Sequence, residues 1–255
     1  NNGYFEEEGI EIELTNAGGS DTVTTALTSK SADIGLLGPE GMIYVRNQGM
    51  QNAPVIFAQL TACDGSFLVG RPEENTGTFS YESLKGKHII AGRRGGMPAM
   101  TLQYILEEIY GLKTGDELGE GVDTILDLSV AFNLTVPTFV GGTGDYCSMF
   151  EPNASQCELD GTGKIVAAFG EEVSNIPYTV FTATSSFLKN SPEKIEKFMR
   201  ALQKGYDYLM IATDSQLISA LKPSFNTTSD ELIVSAVRNY IEIGAYASDF
   251  VLRES

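Results

Sequence analysis

Short aliphatic runs recur along this chain, each closed by a glycine-bearing turn and followed by a stretch with helical spacing; that alternation limits the fold more than any other feature. In "NNGYFEEEGIEIELTNAGGSDTVTTALTSKSADIGLLGPEGMIYVRN" the order reads helix end, strand, glycine turn, helix, strand, glycine turn and helix. Ile10, Ile12 and Leu14 alternate with acids as a half-buried strand requires, and Val23, Ala26 and Leu27 recur at helical spacing behind the capping pair Ser20 and Asp21. "PVIFAQLTACDGSFLVGR" reads as two strands around an Asp-Gly turn, after which the grammar restarts at "LKGKHIIAGRRGGMPAMTLQYILEEIYG". There Pro98 suits a first helical turn, Leu102, Ile105, Leu106 and Ile109 line one face, and Gly111 is a natural terminator. A third unit, "VDTILDLSVAFNLTVPTFVGGTGDYCSMFEPNASQCE", repeats strand, short helical segment, glycine turn, strand and helix start. In "IPYTVFTATSSFLKNSPEKIEKFMRALQKGYDYLM" a strand precedes a helix with Ser191 as cap and Pro192 in its first turn, burying Ile195, Phe198, Met199, Leu202, Tyr206 and Leu209; a last helix closes at Gly244. The class is α/β, and aromatics at this spacing read as core rather than cofactor contacts.

Composition removes several function classes. The 255 residues suffice for two lobes of ~100 to 150 residues each. Lys and Arg number 17 against 34 Asp and Glu, a net charge of -17, so no basic field exists to attract nucleic acid. No run of about 18 apolar residues occurs, and the first residues lack a charged flank followed by an apolar signal region. Cys63, Cys147 and Cys157 have no CxxC spacing, which argues against a disulfide framework or a zinc site, while a Cys147–Cys157 bridge stays open. His88, the single histidine, follows "KGK" at a strand entrance, a place for a surface or satisfied role rather than a catalytic one. With no cysteine cluster, no histidine beside a candidate serine and no metal-ligand constellation, the chain reads as a non-enzyme without cofactor or metal. The Gly-Gly-Thr-Gly-Asp turn is no P-loop, because no lysine follows Gly144.

Against that acidic background, "IIAGRRGGMPAM" sets two arginines and two glycines where a strand feeds a helix. A helix amino terminus offers unpaired N–H groups, glycine lets a ligand approach them, and arginine adds forked donors suited to carboxylate, phosphate or sulfonate. The alternative is that Arg93 and Arg94 pair with surface acids; adjacent side chains do not both face one site easily. Asp145 accepts from a ligand or caps its turn, and Tyr146, Phe150 and Tyr178 stack on a ligand or fill the core.

In "GYFEEEGIEIEL", "SADIGLLGPEGMIYV", "QLTACDGSFLVGR", "GRRGGMPAMTLQYIL", "FVGGTGDYCSMFEPNAS" and "IPYTVFTATSSFLKNSPEKI", by order and spacing, the chain resembles the substrate-binding proteins of ABC importers, in the branch of nitrate, sulfonate, bicarbonate and thiamine-pyrimidine-precursor binders. The resemblance implies a type II periplasmic-binding-protein fold: two α/β lobes joined by two crossing strands with a ligand cleft between them, lobe 1 at residues 1–70 and 180–255 and lobe 2 at 71–179. It implies ligand contacts at Gly38, Pro39 and Glu40, at Asp64, Gly65 and Ser66, at Arg93, Arg94, Gly95, Gly96 and Met97, and at Gly142, Thr143, Gly144 and Asp145. The implied role is an extracytoplasmic, bacterial solute-binding component that captures a sulfonate, nitrate or pyrimidine-like molecule by hinge closure. Its partners would be a small-molecule ligand and the transmembrane subunits of an ABC permease, with a lipid anchor outside this chain, no nucleic acid and a monomeric state. In a bacterial source the Asn-x-Ser/Thr sites at Asn133, Asn153 and Asn226 mean little. The family's usual first strand before "GYF" and further helix after "DFVLRES" are missing, so part of the site is expected to be absent. Two alternatives share the fold: a pyrimidine-precursor synthase, which uses histidine and a cysteine-rich motif, and the ligand-sensing effector domain of a transcriptional regulator.

Overall fold

The computed structural model describes residues 2–50, 53–74 and 77–252; the closing Arg253, Glu254 and Ser255 lie outside the described residues. Its strands are β1 (Ile34–Leu37), β2 (Pro54–Gln59), β3 (Phe67–Gly70), β4 (His88–Ile90), β5 (Thr114–Gly115), β6 (Thr124–Asp127), β7 (Tyr146–Met149), β8 (Lys164–Ala168) and β9 (Val180–Thr184). The chain divides into two compact units, one of Asn1–Ala62, Pro177–Ile241 and Tyr246–Ser255, the other of Cys63–Ile176 and Glu242–Ala245.

In the first unit β9 lies between β1 and β2 and runs antiparallel to both, with Phe181 opposite Leu36 on one side and Ala58 on the other. The Pro39–Asn47 helix carries the chain from β1 to β2. Ala58, Phe181, Phe198, Ala247 and Phe250 form the core here, with Phe5 and Phe57 packed against it and the Phe181 and Phe198 rings edge to face at 5.2 Å. The twenty-residue Pro192–Ile211 helix supplies Phe198, and Met199, Leu202 and Tyr206 lie in the same cluster, as their spacing requires. One expected strand is not formed. Residues 10–14 are irregular, and Leu14 is 91% exposed, because none of β1, β2 or β9 pairs with them and alternation without a hydrogen-bonded neighbour does not make a strand.

In the second unit the sheet order is β5-β6-β4-β7-β3-β8; β5, β6, β4 and β7 are mutually parallel, while β3 is antiparallel to β7 and β8. Leu68, Ile89, Leu102, Ile105, Leu106, Leu126, Tyr146 and Phe169 are among its buried core. The Met97–Tyr104 helix runs on as a π-helical segment, Ile105–Ile109, before Gly111 turns the chain at φ 66°. Two expectations change here. The "PVIFAQ" and "FLVG" strands are not a hairpin, since β2 pairs with β9 and β3 with β7 and β8. That pairing also places residues 63–70 in the second unit, moving the division from 70/71 to 62/63, while the later one falls at 176/177 rather than 179/180.

Candidate functional site

The first unit presents a strand-to-helix turn at the carboxyl end of β1. Gly38 is the extended N-cap, Pro39 opens the helix, and Glu40 in its first turn is only 6% exposed. Ser20, the first residue of the Ser20–Thr28 helix, donates its hydroxyl to Glu40 Oε1 at 3.1 Å. The amino ends of two helices therefore meet at one carboxyl group, an arrangement favourable to negative charge. A Cβ on Gly38 would stand 2.0 Å from Glu40 Oε2, so glycine makes the space that oxygen occupies. Oε2 itself is buried and takes no hydrogen bond. Ser20 was expected as a helix cap; its hydroxyl holds Glu40 instead, a tertiary pairing with no signature in local spacing.

The second unit presents a comparable turn after β4. Gly92 and Gly95 adopt φ 87° and 78°, and Gly96 is the N-cap of the Met97–Tyr104 helix. The turn is held beside the segment following β6, since the Ala91 amide donates to Asp127 O at 3.1 Å and the Arg94 amide to Leu128 O at 3.2 Å. Arg94 pairs with Asp116 at 3.1 Å, both side chains more than two-thirds exposed, which is the surface alternative of the sequence reading. Arg93 is exposed as well, and Met97 is half-buried.

Residues 142–145 lie at the other end of this sheet. They precede β7 rather than follow a strand, and Asp145 meets the start of β4: its amide donates to His88 O at 2.8 Å, and its Oδ2 accepts from the His88 amide at 2.8 Å. Arg71 fixes the same turn, donating from Nε to Gly144 O at 2.8 Å and from Nη2 to Thr143 O at 3.1 Å, with its guanidinium 4.5 Å from the Phe139 ring centroid. Gly142, Thr143, Gly144 and Asp145 thus form a joint between strands and are not brought to Arg93, Arg94, Gly95, Gly96 and Met97. Arg71 went unremarked in the sequence because its partners are carbonyl oxygens some seventy residues away.

Asp64, Gly65 and Ser66 open the second unit and are all buried. The Ser66 amide donates to Asp64 Oδ1 at 2.7 Å, closing a local turn, and the buried Ser66 hydroxyl has no hydrogen-bond partner. Gly170 packs so closely that a Cβ there would stand 2.8 Å from Asp64 O. Burial, with Asp64 beside it, pushes the Cys63 thiol up to about 11.

A cavity of about 400 Å³ opens on β4 and β6 of the same unit, lined by His88, Arg94, Asp116, Ile125, Asp127, Leu128 and Ser129. His88 Nε2 lies 3.3 Å from Asp127 Oδ2, and Asp127 Oδ1 accepts from the Ser129 hydroxyl at 2.6 Å. The serine hydroxyl donates to the carboxylate, whereas in a catalytic triad it donates to the histidine. Tyr146 and Tyr178 are buried, and Phe150 is half-buried with its ring 5.8 Å from Phe132. The three cysteines are buried free thiols, so the Cys147–Cys157 bridge is not formed. Among the described residues, no three His, Cys, Asp or Glu side chains gather as a metal site.

The pattern of the NMT1/THI5-like family matches residues 1–214. The Bacillus subtilis protein YtlA, named as a binding protein, is 36% identical over 252 residues, covering 99% of this chain and 73% of that protein. The Saccharomyces cerevisiae 4-amino-5-hydroxymethyl-2-methylpyrimidine phosphate synthase THI11 is 24% identical over 225 residues, 82% of this chain and 60% of that enzyme. Among solved structures, the periplasmic nitrate-binding protein NrtA from Synechocystis PCC 6803 superposes with a TM-score of 0.70 at 16% identity, over 92% of this chain and 64% of that one. The alkanesulfonate-binding protein SsuA from Xanthomonas axonopodis pv. citri, bound to MOPS, gives 0.68 at 14% identity, over 92% and 76%. At such identities the likeness is one of fold, and the fold is that of periplasmic binding proteins.

Proposed function

This chain belongs to the NMT1/THI5-like family, and from that premise we propose that it is the extracytoplasmic solute-binding component of an ABC importer, which takes a small polar molecule and delivers it to a membrane permease without altering it. The observation that carries this reading is the repeated strand-to-helix turn, at Gly38, Pro39 and Glu40 in one unit and at Arg93, Arg94, Gly95, Gly96 and Met97 in the other. Each follows the carboxyl end of a strand, where open α/β sheets receive ligands. Asp64, Gly65 and Ser66 add a buried polar turn to the second unit. The binding-protein name of the Bacillus relative and the nitrate and alkanesulfonate binders among the structural neighbours support it. Among the described residues no helix is long and apolar enough to cross a membrane, which accords with delivery to a separate permease.

Thermal melts against sulfonates, nitrate, pyrimidines and flavins test the reading. A cognate solute raises stability as RT ln(1 + [L]/Kd), about 2.7 kcal/mol at a hundredfold excess over Kd. If no solute of a broad panel moves the melt, solute binding loses its support. The synthase relatives set the competing reading, which is separated by mass spectrometry of the recovered solute. Unchanged solute is expected; a converted product that disappears with His88→Ala would make the chain an enzyme.

A further inference from the structure

Glu40 carries a demand that its own protein does not meet. The side chain is 94% withdrawn from solvent, since 6% remains exposed, and only one of its oxygens has a partner. Oε1 takes the Ser20 hydroxyl; Oε2 takes nothing, and among the described residues no Lys, Arg or His forms an ion pair with it. A buried acceptor left without a donor is costly, more so when it bears charge. Helix ends explain why a charge is tolerated here, since the Ser20–Thr28 and Pro39–Asn47 helices both begin at this carboxyl, but they supply no hydrogen bond to Oε2. Gly38 leaves the carboxyl its present place, since a Cβ there would push the end of the Glu40 side chain aside. A carboxylate oxygen is an acceptor only, so the group it has room to take is an N–H or O–H donor. An oxyanion brings only acceptors, and would meet both this carboxylate and a chain of net charge -17.

Resting on the solute-binding reading, we propose that Glu40 sets the ligand class: Oε2 accepts an N–H from a protonated amine, an amidine or an amino-substituted heteroaromatic ring, and the site rejects sulfonate, nitrate and similar oxyanions. Calorimetric titration and melting curves with 4-aminopyrimidine, benzamidine, methanesulfonate and nitrate, on the wild-type chain, Glu40→Gln and Gly38→Ala, test it. At least one amino probe binds the wild type and weakens by about 10- to 100-fold in Glu40→Gln, the range for losing a hydrogen bond to a charged group. Gly38→Ala, which displaces the carboxyl, weakens it similarly. Neither oxyanion binds, and the ligand-free Glu40→Gln chain melts no lower than wild type, because the unmet charge is gone.

Oxyanion binding that is unchanged or tightened by Glu40→Gln overturns this assignment while leaving solute binding intact. So does an amino probe that binds both forms equally, or a ligand-free Glu40→Gln chain that melts lower, which would make the carboxyl a structural anchor. If neither class binds while the folded chain melts cooperatively, the solute-binding reading fails together with this one.

Discussion

Gly35 lies against the Ser20–Thr28 helix so closely that an added Cβ would stand 2.6 Å from Val23 Cγ1 and 2.8 Å from Leu27 Cδ1. Gly35→Ala therefore overpacks the strand–helix contact and is expected to cost about 1–3 kcal/mol in urea denaturation; an unchanged midpoint would show that both side chains yield freely. Asp127 illustrates a different constraint. Burial raises its pKa, but hydrogen bonds from the Ser129 hydroxyl and amide, and then His88, outweigh it and hold the carboxyl below the ordinary 3.8. The folded protein thus binds this proton less readily than the unfolded chain. The resulting stability is present above the unfolded value and is lost as pH falls through the lowered native one. Asp127→Asn should cost about 1 kcal/mol at pH 7, the carboxyl being half-buried and hydrogen-bonded to Ser129 and His88, and the gap should close in acid; a gap that persists below the native pKa would assign the effect to packing. Burial also raises all three thiols, with Cys63 at about 11. Neutral-pH alkylation should label them only after unfolding, as counted by intact mass.

Among the elements, the Asp214–Leu221 helix has a start specified by neighbouring residues. Thr213 accepts the Gln216 amide, and Gln216 Oε1 accepts the Thr213 amide at 2.8 Å, a reciprocal box. Thr213→Ala should lower stability by about 1 kcal/mol, measured by chemical denaturation, with Thr213→Ser retaining most of it. An equal loss in both variants would locate the contribution in the threonine methyl. The helix after β4 is less self-sufficient. Its apolar face was legible in Leu102, Ile105 and Leu106, all buried, but its last turns widen into a π-helical segment where Glu107 accepts from Gln103 and Thr114. Such a widening depends on what packs outside the helix, so spacing within it does not announce it.

For the whole molecule, charge is the dominant general term. A net charge of -17 on 255 residues repels itself in the compact state more than in the expanded chain. Raising sodium chloride from about 10 to 150 mM, which shortens the Debye length from roughly 30 to 8 Å, should therefore raise the melting temperature. Ion pairs such as Lys204 with Glu7 and Glu8 work in the opposite direction. A melting temperature that falls with salt would show that these surface pairs, rather than the net charge, govern stability.

What the chain's order of residues determined alone is the alternation of elements. β1 with the Pro39–Asn47 helix, β4 with the Met97–Tyr104 helix, and the Ser191-Pro192 start of the long helix all follow from spacing, turn glycines and first-turn prolines, which act within a few residues. Tertiary structure decided whatever needed a distant partner. Residues 10–14 have a strand's alternation but no strand to pair with, and β2 and β3, neighbours in sequence, joined different sheets. The glycine turn at residues 142–145 became a joint because Arg71 and the start of β4 hold it at the amino end of β7. Glu40 is the sharpest case: its residue type was legible, but its burial, its bond to Ser20 and its unmet oxygen exist only once two helix ends converge. Local propensity is short-ranged, whereas pairing, burial and hydrogen-bond satisfaction are settled by whatever the rest of the chain brings alongside.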